Sequence, residues 1–335
     1  MILSKIETEE FERYFARFDF SKSFAGKTIL VTGANGMTGQ AFIKWLLLLG
    51  NCKIYASTRH PERIPSFVEK TDNVTFVKFG EEGLIAGRID YILHAASPTQ
   101  RTDFINTPVE TIKIIIEGTI RILELAKAKK SKVLYLSSCE VYGAANSENC
   151  LKEDYIGAID SLNIRSSYPL SKKEAELLCH AYYKEYGVAT SIARISAIQG
   201  LYQAYNSERV ESEVLRCVLE SKNLVMKSDG LTKKSFVYTL DVVSGLLFIL
   251  LKGLPGEVYN LTNNETYLCI KDLAQTVFDS FNQNCKIEFA NCDNNGFLKH
   301  LSYTQDVSKL KNLGWEPITS LKKVYEIDIE RFTNE

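Results

Sequence analysis

The sequence contains no apolar run long enough to cross a membrane. Its longest runs, residues 45–49 and 245–251, fall well short of the roughly 18 residues that a membrane-spanning helix needs. An excess of charge of one sign is also missing, since 40 basic residues face 41 acidic ones and leave a net charge of -1. This balance gives no overall basic bias that would favour nucleic acid as the main partner. We therefore expect neither a membrane nor nucleic acid as a partner.

Patterns of metal-binding or disulfide-forming residues are equally scarce. The eight cysteines form no Cys-x-x-Cys pair, and the chain has only four histidines, so we expect neither a metal site nor a disulfide framework. The N-terminal residues are mixed polar and acidic and lack the basic patch and apolar core of a secretory signal. Reduced thiols are the rule in the cytosol, so we expect a cytoplasmic location.

What the sequence does contain is an ordinary globular composition over 335 residues, with 45% hydrophobic and 24% charged residues. This length corresponds to roughly two domains, or to one large α/β unit with an added lobe. Short β-branched apolar segments alternate with helical segments along the first part of the chain. The predicted strands cover residues 27–32, 52–57, 74–79, 89–94, 132–137 and 189–195, and the predicted helices cover 40–49, 108–129 and 169–186. This alternation predicts an α/β fold with a Rossmann-type, doubly wound parallel sheet.

The pattern divides the chain into three parts. Residues 1–24 predict an N-terminal helical arm, whose aromatic side chains either pack on the body of the protein or form an oligomer contact. Residues 25–197 carry the alternation and predict the dinucleotide-binding domain. After residue 197 the alternation loosens, so residues 198–335 predict a smaller C-terminal substrate-binding lobe, from which the segment around 236–261 returns to the core.

A glycine-rich turn follows the first predicted strand. Residues 33–39 form a Gly-x-x-Gly-x-x-Gly run between a strand and a helix. Glycines at these positions let the backbone turn tightly and approach a pyrophosphate, toward which the next helix points its N-terminal N–H groups. The position between strand and helix makes the motif specific for a dinucleotide. The candidate residues are Gly33, Asn35, Gly36, Met37 and Gly39.

The end of the second predicted strand bears on the choice of cofactor. An acidic residue there would bind the ribose hydroxyls of NAD, but the chain has Ser57-Thr58-Arg59. Arg59 could pair with the 2′-phosphate of NADP through a bidentate contact. NADP is therefore slightly favoured over NAD. The alternative is that Arg59 is a solvated loop residue or stacks on the adenine.

A tyrosine and a lysine share one face at the start of the helix predicted over 169–186, since Tyr168 and Lys172 are four residues apart. An ammonium group beside a phenol favours the phenolate, which can act as general base when an alcohol is oxidised. Ser138 follows the fifth strand and His94-Ala95-Ala96-Ser97 ends the fourth, at the edge where open α/β sheets bind ligands.

Together these segments resemble the extended short-chain dehydrogenase/reductases, and more narrowly the NAD-dependent epimerase/dehydratase family of sugar-nucleotide enzymes. The resemblance runs from residue 26 to about residue 323 and includes Ser235–Val242 and Lys309–Trp315. It implies a homodimer joined through the helices at 108–129 and 169–186. It also implies a sugar-nucleotide substrate and a place in the synthesis of surface polysaccharide precursors.

The resemblance also implies a role for each candidate residue. Tyr168 would be the base, Lys172 would orient the nicotinamide ribose and lower the pKa of the tyrosine, and Ser138 would be the third polar partner. The shared chemistry would be transient hydride transfer from the sugar C4 to the nicotinamide. The implied cofactor contacts are Gly33, Asn35, Gly36, Met37, Gly39, Arg59, His94, Ala95, Ala96, Ser97, Tyr168 and Lys172. The implied substrate contacts are Ser97, Cys139, Arg209 and Lys234.

Departures from the family pattern reduce the number of reactions that the chain is expected to catalyse. The dTDP-glucose 4,6-dehydratases carry an Asp-Glu pair where this chain has Cys139-Glu140, which disfavours 4,6-dehydration. A catalytic Glu140 in this setting resembles the UDP-glucuronate decarboxylases, although Glu140 could simply cap the following turn. Lys233 and Lys234 stand where family members usually carry an arginine that holds the nucleotide, and this weakens the decarboxylase interpretation.

Two other functions stay open. An NADPH-dependent reductase of a nucleotide-linked ketose or keto-sugar is favoured by Arg59 and by the missing dehydratase acid. A non-catalytic dinucleotide-binding protein is the second alternative, and Ser138, Tyr168 and Lys172 speak against it. The three hypotheses differ in whether cofactor is recycled, consumed or merely bound.

Overall fold

The computed structural model describes residues 3–60, 72–145, 150–290 and 302–334. Its strands are β1 (Thr28–Thr32), β2 (Lys53–Thr58), β3 (Val74–Lys78), β4 (Tyr91–His94), β5 (Lys132–Ser138), β6 (Cys150–Leu151), β7 (Thr190–Ile195), β8 (Ala197–Gln199), β9 (Leu224–Met226), β10 (Lys233–Lys234), β11 (Phe236–Tyr238), β12 (Val258–Leu261), β13 (Leu268–Cys269), β14 (Ile287–Phe289) and β15 (Thr304–Gln305). Its helices are α1 (Lys5–Arg17), α2 (Met37–Leu49), α3 (Arg101–Asn106), α4 (Pro108–Lys129), α5 (Ser167–Tyr186), α6 (Val210–Glu220), α7 (Thr239–Lys252), α8 (Ile270–Phe281), α9 (Ser308–Lys311) and α10 (Leu321–Asn334).

Seven of these strands form one parallel sheet in the order β3-β2-β1-β4-β5-β7-β12. The chain builds outward from β1 in one direction and then, from β4, in the other. The strand order therefore reverses between β1 and β4, and ligands of open α/β sheets bind at this point, outside the carboxyl ends of the strands. The Rossmann-type α/β fold predicted from the alternation is confirmed.

Successive side chains of the central strands enter two separate hydrophobic cores. Ile29 and Val31 of β1 belong to the core on the side of α2 and α7, whereas Leu30 belongs to the core on the side of α4 and α5. β5 repeats this division, with Leu134 in the first core and Val133 in the second. A strand buried on both faces reads as a continuous apolar run, which explains why these segments lack polar alternation.

The N-terminal arm is held on the sheet domain by helix α1. Ser4 and Glu7 form a capping box, in which each side chain accepts a hydrogen bond from the other residue's backbone N–H. Phe11, Tyr14 and Phe15 surround the Trp45 ring of α2, with ring centroids 5.2–6.0 Å apart. The aromatic residues of the arm thus pack on the body of the protein.

The C-terminal half supplies a third core between α6, α8 and α10. β8 and β11 continue from the sheet toward this core as a separate parallel pair, and β9 pairs with β14. β12 and α7, by contrast, belong to the sheet domain. Among the described residues, no helix combines the length and apolar character that crossing a membrane requires.

Candidate active site

One large cleft, of about 1860 Å³, lies over the carboxyl ends of β1, β4 and β5. Small-molecule sites commonly occupy about 300–1,000 Å³, so this cleft has room for more than one ligand. Its floor comes from the sheet domain and its far wall from residues around α6, β9 and β10. Nearly all the residues proposed from sequence as cofactor or substrate contacts line it, with His94 as the exception.

The glycine turn after β1 forms a cradle that side chains would fill. Gly33 has a φ of +71°, and a Cβ added there would lie 2.8 Å from the carbonyl carbon and oxygen of Ala95. A Cβ at Gly39 would lie 2.3 Å from the Gly33 carbonyl oxygen. Gly36 precedes α2 and places no side chain over its first N–H groups. These features fit a pyrophosphate at the helix N-terminus.

The side of the cradle toward β2 offers polar groups to an adenosine ribose. Asn35 donates from Nδ2 to the Thr58 hydroxyl at 2.9 Å and to the His60 carbonyl at 3.0 Å. Its Oδ1 is buried and accepts no hydrogen bond from the described residues, so a donor on a ligand could reach it. Arg59 is exposed at the rim of the cleft.

Glu82, which no sequence motif indicates, places a buried carboxylate beneath this corner. Ser57 donates to Glu82 at 2.6 Å, and the Gly80 amide donates to the same carboxylate at 2.9 Å. Arg121 lies 3.4 Å from it. The Ser57 hydroxyl is therefore committed to the protein interior. Ser57 and Glu82 are 25 residues apart, so no short sequence motif indicates that they pair.

His94 lies under the cradle rather than in it. Its Nδ1 is 2.8 Å from the Thr32 hydroxyl, and its Nε2 is 3.2 Å from the Thr119 hydroxyl. The Thr32 oxygen also accepts from the amides of Ala95 and Ala96 at 3.2 and 3.1 Å. Burial lowers the pKa of His94 to about 3, so the ring is neutral. His94 thus positions the backbone at Ala95 and Ala96, which line the cleft together with Ser97.

Tyr168, Lys172 and Ser138 meet at the floor of the cleft. Tyr168 stacks on Phe104 with ring centroids 4.3 Å apart. Lys172 donates to the Leu136 carbonyl at 2.7 Å, and its Nζ lies 5.8 Å from the centre of the Tyr168 ring. Ser138 ends β5 beside them. The helical spacing of tyrosine and lysine therefore places both on the face toward the cleft, as predicted.

Lys172 and the nicotinamide charge together are expected to lower the pKa of Tyr168, whereas burial in the protein acts in the opposite direction. Burial raises the pKa of Tyr168 well above its usual value, with a smaller upward contribution from Glu140, while Ser138 opposes the shift. Burial also lowers the pKa of Lys172 to about 7, although the negative charge of Glu176 acts to raise it. Burial thus favours the protonated phenol in this structure, and Lys172 donates to the Leu136 carbonyl rather than to the phenol.

Glu140 pairs with Arg165, a residue that the sequence analysis did not single out. The two guanidinium nitrogens donate to the two carboxylate oxygens at 2.7 and 2.9 Å. Arg165 lies in the turn Ile164–Ser166, immediately before α5 and three residues before Tyr168. The Ser138 hydroxyl also accepts from the Glu140 amide at 3.2 Å. Glu140 therefore contributes an ion pair to the floor of the cleft.

The far wall carries a second charged group. Glu211 is fully buried at the start of α6 and lies 3.3 Å from Lys234 and 4.0 Å from Arg209. Burial alone would raise the pKa of Glu211, but Lys234 and Arg209 reverse the shift and lower it. The two cations proposed as substrate contacts are thus partly neutralised by a carboxylate that the sequence analysis missed.

Cys139 completes the floor as a protonated thiol. Burial raises its pKa to about 11, and the neighbouring Glu140 adds to the shift. Its carbonyl accepts from the Tyr303 hydroxyl at 2.9 Å. Such a thiol is neither a nucleophile nor an effective acid near neutral pH. Within the described part of the chain, no group of three His, Cys, Asp or Glu is arranged to hold a metal ion.

The glycine cradle generates a testable prediction. We expect Gly33→Ala to weaken dinucleotide binding by roughly 10- to 100-fold, because the new Cβ meets the Ala95 backbone and the positive φ is strained. Isothermal titration with NAD measures the effect. Gly83→Ala is the matched control, since a Cβ there meets nothing within 4 Å and the φ is ordinary. Equal affinity of the two variants would contradict a cofactor role for the turn.

Known proteins resemble this chain over most of its length. The model of the NAD dependent epimerase/dehydratase family matches residues 29–262. UDP-glucuronic acid decarboxylase 1 of Arabidopsis thaliana is 30% identical over 309 residues, which cover 91% of this chain and 70% of that protein.

Solved structures share the fold. UDP-glucose 4-epimerase of Thermotoga maritima has a TM-score of 0.80 at 21% identity, covering 92% of this chain and all of that one. UDP-glucuronic acid 4-epimerase of Bacillus cereus, solved with UDP-glucuronic acid and NAD, has a TM-score of 0.77 at 24% identity, covering 92% and 99%. The chain therefore belongs to the NAD dependent epimerase/dehydratase family, whose members are NAD-dependent enzymes of nucleotide-linked sugars.

Proposed function

We propose that this enzyme binds a nucleotide-linked sugar in the cleft and oxidises it transiently at C4, with Tyr168 as the group that transfers the proton. The observation that carries the proposal is the meeting of Tyr168, Lys172 and Ser138 beside the glycine cradle, in one cleft with room for both ligands. A site that only binds dinucleotide would not need a phenol and an ammonium at the point of contact with a second ligand.

Each residue at the floor of the cleft has a separate task. Tyr168 takes the proton of the sugar hydroxyl, and Ser138 hydrogen-bonds the same oxygen. A bound dinucleotide supplies the hydride acceptor and a positive charge beside the phenol. Lys172 lies one helical turn from Tyr168. The lysine stabilises the phenolate when its ammonium group is charged. Because burial raises the pKa of Tyr168, deprotonation needs these nearby positive charges.

The groups next to Ser138 restrict the step after oxidation. Elimination across C5 and C6 needs an acid beside the base, and the Cys139 thiol, whose pKa burial raises to about 11, is a weak acid at that position. Two outcomes need only the 4-ketone, namely inversion at C4 and loss of a carboxyl group from a 4-keto uronic acid. We propose that the reaction is one of these two. The relatives named UDP-glucuronic acid decarboxylase support the second.

A net reductase is the alternative candidate, because the rim of the cleft favours a 2′-phosphate. Arg59 is exposed there, and the Glu82 carboxylate under β2 is buried and bound to Ser57. We infer that Arg59 lets the enzyme accept NADP as well as NAD. Oxidation of one NADPH for each keto-sugar reduced would favour the reductase. Conversion of a sugar nucleotide without net change in NAD(P)H would favour transient oxidation.

We also propose that two copies of the chain pair through α4 and α5. These helices pack side by side and expose apolar side chains away from the core. The exposed residues are Val109, Ile112, Ile120 and Leu177. A row of this kind on two adjacent helices is typical of a helix–helix interface.

Replacement of the catalytic phenol tests the proposed chemistry. We expect Tyr168→Phe to lower turnover by roughly 10²- to 10⁴-fold while NAD and the sugar nucleotide still bind, because only the proton-transferring oxygen is lost. UDP-glucuronic acid and UDP-glucose are tested separately as substrates, and turnover is measured as the amount of product detected by chromatography. Tyr186→Phe is the control, since Tyr186 is exposed on the same helix. Full activity of Tyr168→Phe would refute the assignment.

Replacement of Arg59 tests the cofactor preference. We expect Arg59→Ala to weaken NADP binding by roughly 10-fold, through loss of a charge-assisted contact to the 2′-phosphate, and to leave NAD binding unchanged. Titration of both cofactors measures the ratio, and mass spectrometry of the dinucleotide that co-purifies gives an independent reading. An equal effect on both cofactors would contradict selection by Arg59.

A charge on the exposed helical face tests the dimer. We expect Leu177→Glu to convert a dimer to a monomer in light scattering, because Leu177 is 61% exposed and would be buried between the copies. Leu254→Glu is the matched control, since Leu254 is similarly exposed but lies beyond α7. A wild-type protein that is already monomeric would overturn this proposal.

A further inference from the structure

We propose that Arg165 is the receptor for a carboxylate on the sugar, and that Glu140 occupies its guanidinium until such a substrate arrives. The enzyme would therefore select nucleotide-linked uronic acids over the corresponding neutral sugars. This inference rests on the proposed function, because it assigns the substrate class of the same site.

Arg165 and Tyr168 both lie against the ring of Phe104. The guanidinium carbon lies 5.9 Å from the centre of the Phe104 ring, and this ring stacks on Tyr168 with centroids 4.3 Å apart. Both Arg165 and Glu140 line the cleft. A sugar whose C4 hydroxyl reaches Tyr168 therefore presents its neighbouring substituents close to the arginine.

The chemistry of the pair suits an exchange. Both guanidinium nitrogens engage both oxygens of Glu140, at 2.7 and 2.9 Å, and a substrate carboxylate offers the same planar, bidentate acceptor. The exchange replaces one carboxylate with another and keeps the charge at the arginine balanced. A hydroxymethyl group could not displace Glu140, because it lacks the charge.

Exposure separates this pair from the other ion pairs near the cleft. The side chains of Arg165 and Glu140 are 18% and 27% exposed, so Glu140 can turn into the cleft and be solvated there. Glu211 and Glu176, which hold Lys234 and Arg194, are only 1% and 8% exposed. Freeing either of those carboxylates would leave a buried charge without a partner, at a high cost. Glu140 is therefore the exchangeable member of this set.

Binding of two sugar nucleotides that differ only at C6 tests the inference. The protein is loaded with NAD, and all samples carry Tyr168→Phe to prevent turnover. Dissociation constants are then measured for UDP-glucuronic acid and for UDP-glucose. We expect Arg165→Met to weaken binding of UDP-glucuronic acid by roughly 10- to 100-fold and to change that of UDP-glucose less than about threefold. Arg88→Met, which breaks a surface pair with Asp90, should change neither.

A second variant separates recognition from support of the fold. We expect Glu140→Gln to tighten binding of UDP-glucuronic acid several-fold, because the competing carboxylate is gone, while UDP-glucose binding stays unchanged. Weaker binding of UDP-glucuronic acid by Glu140→Gln, or equal losses for both sugars in Arg165→Met, would overturn the inference. Wild-type binding of both sugars without preference would overturn it and leave the proposed function standing, whereas binding of neither would overturn both.

Discussion

The backbone after β1 passes so close to the backbone after β4 that no side chain fits between them. Gly33 satisfies this constraint, and the Thr32 hydroxyl, bonded to His94, fixes the two amides of Ala95 and Ala96 on the opposite side. A neutral, buried histidine is needed because a charged ring would demand a counter-ion in the interior. Residues below the cradle thus hold the backbone that would bind the dinucleotide. The cleft above it lies where the strand order reverses, between β1 and β4.

A buried polar network supports the catalytic helix in a similar way. Glu176 accepts from Ser137 of β5 at 2.5 Å and from Arg194 of β7 at 2.7 Å. Glu176 lies one turn beyond Lys172 on α5, and its charge opposes the loss of the lysine proton that burial favours. The ion pair that ties α5 to the sheet is therefore also the group that keeps Lys172 able to carry charge. Stability and reactivity share these residues because both depend on the same low-dielectric surroundings.

The fold could be predicted from the sequence because its signals are local. Apolar runs, the glycine turn and the Tyr-x-x-x-Lys spacing each lie within a few residues, and the predicted helix at 108–129 matches α4. Three charged residues of the site could not be predicted, since Glu82, Arg165 and Glu211 pair with residues 23 to 25 positions away. The extent to which burial raises the pKa of Tyr168 could not be predicted either, for a related reason. Spacing indicates that a lysine is near, whereas burial decides how much charge it carries.

Two carboxylates of the cleft share one arrangement, in which each is matched by a cation on a different element. Glu211 of α6 meets Lys234 of β10, and Glu140 after β5 meets Arg165 before α5. Matching across elements holds α6 and β10 together in the far wall, where the carboxylate is buried, because neither partner can leave without a large desolvation penalty. When the carboxylate is partly exposed, the same pairing holds an arginine in a defined orientation but leaves it open to competition. Burial of the anion therefore separates a structural ion pair from one that a substrate can replace.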